Sequence, residues 1–174
     1  MENNNKTQRT VLMGLLIAMV CVGTMTVKIP VPVTSGYVNI GDAFIFVSAG
    51  FFGPIPGLIA GGIGSAMADI LGGYPHFAIY TLIIKGLEGF VVGLLLKKGM
   101  SIYKNIGASL VGSFIMVGGY FLAESFMAGS FIAPLQSIPF NCFQGFFSIV
   151  LAMPIMSYGK LRSLAVKSHL TTER

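Results

Sequence analysis

The sequence predicts an all-α integral membrane protein, a single bundle of six transmembrane helices. Of its 174 residues, 54% are hydrophobic and only 10% are charged, whereas a soluble domain carries about a quarter charged residues. A soluble enzyme, a nucleic-acid-binding domain or a disordered chain needs far more polar residues than this. The mean hydropathy of +0.81 agrees with a membrane protein.

Charged residues and helix breakers divide the chain into six apolar segments. A bilayer core requires about 20 helical residues; four segments reach that length, the third nearly does, and the second is short. The second ends at the proline-containing turn 53–57, where the missing backbone donors predict a reversal of the chain. The segments are 10–28, 41–53, 56–73, 76–97, 105–127 and 138–159.

The basic residues predict the orientation of the bundle. Three clusters precede the first span, separate the fourth from the fifth, and follow the sixth. With six spans all three lie on one side, which the positive-inside rule assigns to the cytoplasm together with both termini. The clusters are Lys6 and Arg9; Lys97, Lys98 and Lys104; and Lys160, Arg162, Lys167 and Arg174.

This orientation predicts one membrane domain over 1–174, with cytoplasmic tails at 1–9 and 161–174 and an extracellular loop at 29–40. The loop is apolar and interrupted by prolines, so it is expected to be stiff and non-helical. It would cover an outer pocket as a lid, or alternatively pack on the bundle as a re-entrant segment.

Polar side chains within the spans concentrate toward the predicted outer side, which favours a pocket over a continuous channel. An ionisable group at membrane depth needs a partner or a function. Lys85 can pair with Asp69 or, at i,i+3, with Glu88, and such a pair can simply hold helices together. Few other polar side chains are expected in the inner half.

Glu124, Asn141 and Gln144 project from the fifth and sixth spans at similar depth. Convergent hydrogen-bonding groups of this kind suit a small polar heteroaromatic ligand. Hydrogen bonding between the two helices is the alternative.

Gly14 and Ala18 form a small-xxx-small face on the first, peripheral span. Small residues let another helix approach closely. This face therefore predicts docking of a separate membrane protein, with packing inside the bundle as the alternative.

The chain contains no motif for nucleotide hydrolysis, metal binding or nucleophilic catalysis. We therefore expect no enzyme activity, metal or cofactor, and no nucleic-acid partner. Uphill movement of a solute would draw its energy from an ion gradient or from another protein.

Four sequence stretches, taken in order, resemble the substrate-binding S components of energy-coupling factor (ECF) vitamin transporters, in the branch with riboflavin, pyridoxine and hydroxymethylpyrimidine. The six-span plan covers nearly the whole chain. The stretches are YVNIGDA at 37–43, FGP at 52–54, GGIGSAMADILGGY at 61–74 and IKGLEG at 84–89.

The resemblance implies capture of a B-vitamin or precursor from outside the cell, without any cofactor. Pyridoxine or hydroxymethylpyrimidine is favoured and riboflavin is possible. Substrate-binding positions implied by the family are Asn39, Tyr80, Glu88, Tyr120, Glu124, Asn141 and Gln144. Glu88 departs from the uncharged residue expected in many relatives, which suggests a substrate-specific role.

The resemblance also implies partners in a bacterial cell membrane. These are a transmembrane coupling protein and two cytoplasmic ATPases, onto which the S component docks through the first helix. Gly14 and Ala18 match the family's docking positions, where two alanines are common. The competing hypothesis is a self-sufficient, proton-coupled secondary transporter that uses Asp69, Lys85 or Glu88 as a relay.

Overall fold

The computed structural model describes residues 2–31, 36–96 and 101–158, and of residues 2–5 it describes the backbone only. These residues form six α-helices, a β-hairpin and one turn of 3₁₀-helix. Five of the helices are long and apolar enough to cross a membrane, and the sixth, α2, is short. The elements are α1 Glu2–Thr26, β1 Lys28–Val31, β2 Gly36–Asn39, α2 Gly41–Phe52, α3 Pro54–Leu71, α4 Ala78–Leu96, α5 Ile102–Ala128, the 3₁₀ turn Ala133–Gln136 and α6 Ile138–Ser157.

The predicted six-helix membrane bundle is confirmed. One boundary differs substantially: α1 begins at Glu2, eight residues before the predicted span. Hydropathy marks where a helix enters an apolar environment, while polar residues can continue the helix beyond it. The tail at 161–174 and the basic residues Lys97, Lys98 and Lys160 lie outside the described residues.

Helix ends follow from local sequence. Gly53 has φ +94° between α2 and α3, a conformation that favours glycine. Pro54 then occupies the first position of α3, where its missing N–H costs no helical hydrogen bond. At the other end of the long α5, Gly129 adopts a left-handed conformation with φ +61°, a common way to end a helix.

Helix α2 lies at the centre of the bundle, in contact with α1, α3, α4 and α6. Its 12 residues span only about 18 Å at 1.5 Å per residue. Phe46 is fully buried in an apolar cluster with residues of α4, α5 and α6. Because α2 is short and enclosed, the first residues of the helix are buried in the protein rather than exposed at its surface.

Helices α3 and α4 pack with their backbones in close approach. A Cβ added at Gly57 would lie 2.5 Å from the carbonyl oxygen of Gly89, and one at Gly61 would lie 2.5 Å from that of Lys85. A Cβ at Gly89 would in turn overlap the carbonyl oxygen of Gly57. The small-residue spacing in these helices therefore serves packing inside the bundle.

The connection between α1 and α2 contains a β-hairpin that the sequence did not predict. Strands β1 and β2 are antiparallel, with Lys28 opposite Asn39 and Val31 opposite Gly36. Val31 and Val38 are buried against the bundle. We call the end of the bundle that carries this hairpin the hairpin end.

The two cysteines lie in different environments. The thiols of both are free; Cys21 is buried on α1, and Cys142 on α6 is exposed. The side chain of Cys142 therefore points away from the bundle interior.

Gly89→Ala is expected to destabilise the bundle by about 1–3 kcal/mol, because the added methyl group must push α3 and α4 apart. The measurement is the thermal unfolding of the detergent-purified protein. Gly107→Ala on α5 is the matched control, since a Cβ at that position meets no atom within 4 Å. Equal stability of the two variants would contradict close packing of α3 on α4.

Candidate ligand-binding site

A small pocket lies beneath the hairpin, between α1, α3, α4, α5 and α6. The volume open to the centre of a water molecule is about 20 Å³, enough for about one water. The hairpin thus closes tightly over the site. The lining residues are Thr24, Val31, Gly36, Tyr37, Asn39, Ser65, Asp69, Phe77, Thr81, Lys85, Tyr120, Glu124 and Asn141.

Among the residues of the hairpin that the structure describes, two form hydrogen bonds to the helices beneath it. The hydroxyl of Tyr37 donates to Asp69 Oδ1 on α3 at 2.6 Å. The backbone N–H of Asn39 donates to Gln144 Oε1 on α6 at 2.7 Å. The side chain of Asn39 turns back to accept from the N–H of Gly41 at 2.8 Å, fixing the entry into α2.

Tyr37 also makes aromatic contacts at the rim of the pocket. Its ring centroid lies 4.6 Å from that of Tyr74, and Lys28 Nζ lies 4.9 Å from the Tyr37 centroid. Burial, reinforced by the neighbouring Asp69 carboxylate, raises the pKa of Tyr37 well above its usual range. The phenol therefore remains protonated and continues to donate to Asp69 at physiological pH.

A buried ion triad forms the floor of the site. Lys85 Nζ bonds to Asp42 Oδ1 at the start of α2 and lies 3.1 Å from Glu88 Oε2 one turn further along α4. The three residues are each no more than 1% exposed. Gln144 Nε2 donates to the other oxygen of Asp42 at 2.8 Å, so α2, α4 and α6 are joined through polar contacts.

The predicted Asp69–Lys85 ion pair is wrong: among the described residues, Lys85 pairs with Asp42 and Glu88, whereas Asp69 accepts from Tyr37. The reason is the shortness of α2, which places Asp42 at the depth of Lys85. Of the two pairings that the sequence left open, the one between Lys85 and Glu88 is found.

The structure separates the seven predicted substrate-binding residues into three groups. Asn39, Tyr120, Glu124 and Asn141 line the pocket. Glu88 and Gln144 lie just outside the pocket. Glu88 forms an ion pair with Lys85, and Gln144 accepts a hydrogen bond from the hairpin. Tyr80 packs instead against the apolar cluster of Ile84, Met116 and Ala123.

Four buried polar atoms of the pocket have no hydrogen-bond partner among the described residues. They are Thr24 Oγ1, Ser65 Oγ, Asp69 Oδ2 and Asn141 Nδ2. Buried polar groups in native proteins are normally paired with protein atoms or water. These atoms are therefore available to a bound molecule.

Sequence reasoning did not identify several residues of the pocket and its floor. Asp42 in the floor does carry a signal, because a carboxylate that opens an unusually short span must lie below the surface. Thr24, Ser65 and Thr81 carry none, since single hydroxyls are common in membrane helices. The expectation of few inner polar groups also needs correction: Asn105, Ser109 and Ser148 are buried away from the pocket.

The predicted docking residues lie apart from this site. Gly14 and Ala18 are exposed on α1, and a Cβ at Gly14 would meet no atom within 4 Å. Leu15 beside them is 63% exposed. This face of α1 contacts no other part of the described bundle closely.

Three curated relatives resemble the chain. An uncharacterised protein of Pyrococcus woesei is 46% identical over 101 residues, covering 58% of this chain and 68% of that protein. The thiamine precursor transporter HmpT of Lactococcus lactis subsp. cremoris is 28% identical over 130 residues, 74% of each chain. A UPF0397 protein of Streptococcus pneumoniae is 37% identical over 98 residues, 56% of this chain and 52% of that protein.

A family model described as "ECF-type riboflavin transporter, S component" matches residues 4–161. The match covers all six helices and the hairpin, so it spans every element that builds the pocket. The chain therefore belongs to the family of ECF-type riboflavin transporter S components and is a multi-pass transport protein of the cell membrane.

Proposed function

We propose that this chain captures a B-vitamin or vitamin precursor beneath the hairpin and delivers it by docking onto an ATP-driven partner complex. The observation that carries the proposal is a buried pocket with unpartnered polar atoms under a hairpin held by two hydrogen bonds. The ligand would be bound and released without chemical change.

The hairpin end is inferred to face outward. Lys6 and Arg9 at the start of α1 and Lys104 at the start of α5 lie at the opposite end, which the positive-inside rule assigns to the cytoplasm. The pocket would then open to the extracellular side. The hairpin would be the lid over it, within a single membrane domain.

The ligand class is inferred from the chemistry of the pocket and from a relative. Hydroxymethylpyrimidine or pyridoxine is favoured, because both are small heteroaromatic molecules with several hydrogen-bonding groups; riboflavin is larger and less favoured. The relative in Lactococcus lactis is named a thiamine precursor transporter. Aromatic contact would come from Tyr120 and Phe77, which line the pocket.

Ligand entry requires the hairpin to move. A space of about 20 Å³ holds about one water, far less than a vitamin ring. Displacing the hairpin would break the Tyr37–Asp69 and Asn39–Gln144 hydrogen bonds. Both bonds join the hairpin to the helices, and they can be exchanged for contacts with ligand or water.

The exposed face of α1 around Gly14 and Ala18 is proposed as the docking surface for a transmembrane coupling protein, which would be joined to two ATPases. Small residues allow a partner helix to approach closely. The apolar side chain of Leu15, 63% exposed, would pack alongside that helix.

The purified chain is expected to bind a B-vitamin or precursor without ATP, as measured by calorimetry in detergent. Vesicles that contain only this chain are expected not to accumulate the ligand, whereas vesicles with the partner complex and ATP should. Accumulation driven by a proton gradient in the chain alone would instead support the proton-coupled secondary transporter.

Asn141→Ala is expected to weaken ligand binding by about 1–3 kcal/mol, the cost of leaving a buried partner unpaired. Titration calorimetry measures the change. Asn105→Ala is a matched control, because Asn105 is a buried asparagine at the opposite end of the bundle. Unchanged affinity in Asn141→Ala would remove this residue from the site.

Gly14→Leu and Ala18→Leu are expected to abolish transport by the assembled complex and leave ligand binding intact, because the larger side chains hold a partner helix away. Gly107→Leu is the control on an exposed face of α5, where added atoms also find open space. Normal transport by both α1 variants would show that the partner docks elsewhere.

A further inference from the structure

The pocket and its floor contain more buried carboxyl groups than buried lysines among the described residues. Asp42, Asp69, Glu88 and Glu124 are all at most 6% exposed. One buried lysine, Lys85, faces them, and its two ion pairs are with Asp42 and Glu88. Lys28 lies further out, over the rings of Tyr37 and Tyr74. Neither of the two ion pairs of Lys85 therefore involves Asp69.

Asp69 presents an unused acceptor to the pocket. Its Oδ1 accepts from Tyr37 at 2.6 Å, while its Oδ2 is buried without a hydrogen-bond partner among the described residues. A carboxylate at membrane depth is stabilised by a hydrogen-bond donor or a positive charge. A ligand group that binds Asp69 Oδ2 is therefore a hydrogen-bond donor.

Asn141 presents the opposite requirement. Its Nδ2 is a donor on α6, lines the pocket, and is buried without an acceptor among the described residues; the residue is 7% exposed. The pocket therefore offers one acceptor with negative charge and one neutral donor. The acceptor matches an amino group, which donates, and the donor matches a ring nitrogen, which accepts.

We propose that the pocket selects nitrogen heteroaromatic ligands that carry an amino group, with that amino group bound to Asp69 Oδ2 and a ring nitrogen or hydroxyl accepting from Asn141 Nδ2. The proposal rests on the vitamin-capture function and specifies its substrate class. It disfavours ligands that present a carbonyl oxygen at the same position, because two acceptors would then meet. It also disfavours phosphate esters, whose charge the buried carboxylates repel.

Two pairs of probes differ only in this group and test the proposal by calorimetry on the full chain in detergent. One pair is 4-amino-5-hydroxymethyl-2-methylpyrimidine and its 4-oxo analogue. The other is pyridoxamine and pyridoxine. In the first pair the amino compound is expected to bind about tenfold tighter or more, because the carbonyl oxygen of the oxo analogue would face Asp69 as a second acceptor. In the second pair the hydroxyl of pyridoxine can also donate to Asp69, so the preference for the charged ammonium group of pyridoxamine is expected to be smaller.

Asp69→Asn is expected to bring the amino-to-oxo affinity ratio close to one, while retained binding of the oxo compound shows that the variant is folded. The asparagine carbonyl can still accept from Tyr37. Glu124→Gln removes the same charge from another wall of the pocket and is expected to preserve the preference. Ser109→Ala, buried on α5 away from the pocket, should leave both affinities unchanged.

The outcomes separate this inference from the function on which it rests. Equal binding of both members of each pair by the wild-type chain would overturn the amino-group selection and leave vitamin capture intact. Loss of the preference in Glu124→Gln but not in Asp69→Asn would overturn the assignment to Asp69. Binding of no vitamin or precursor would overturn the proposed function together with this inference.

Discussion

The ammonium group of Lys85, enclosed between Asp42 and Glu88, is the contact on which the rest of the site depends. Removing Lys85 leaves two buried carboxylates without their counter-charge, which is strongly unfavourable. Asp42 also accepts from Gln144, and Gln144 accepts from the backbone of Asn39. A continuous series of polar contacts thus runs from the floor of the pocket to the hairpin above it.

Close packing of α3 on α4 holds this series at a defined depth. The backbone at Gly61 lies directly against the carbonyl of Lys85, so the helix that carries the lysine has little freedom to shift. Asp69 lies two turns further along α3 and faces the same pocket. The glycines therefore act on function indirectly, by fixing the positions from which charged side chains reach inward.

The six spans could be predicted from sequence because hydropathy, charge placement and the 53–57 turn all depend on local composition. The hairpin could not, since its strands have four residues each and one contains Pro30, a residue disfavoured in sheets.

The partner of Lys85 was also missed. Ion pairing between helices depends on how deep each side chain lies in the bundle. The depth of Asp42 follows from the position of α2 among four neighbouring helices, which the sequence does not show. Glu124 and Asn141, expected from convergent polar groups on apolar helices, line the pocket, whereas Asn39 and Tyr120 were expected only from the family resemblance.

The outward orientation of Cys142 has a practical consequence. It is adjacent in sequence to Asn141, yet its thiol points about 100° away around α6 and is exposed, while the other cysteine of the chain is buried. A spin label or fluorophore attached through this native sulfur would report on movement of the α6 segment that carries Asn141 and Gln144. The probe would lie outside the cavity, so the chain offers a spectroscopic reporter of this part of α6 without any engineered residue.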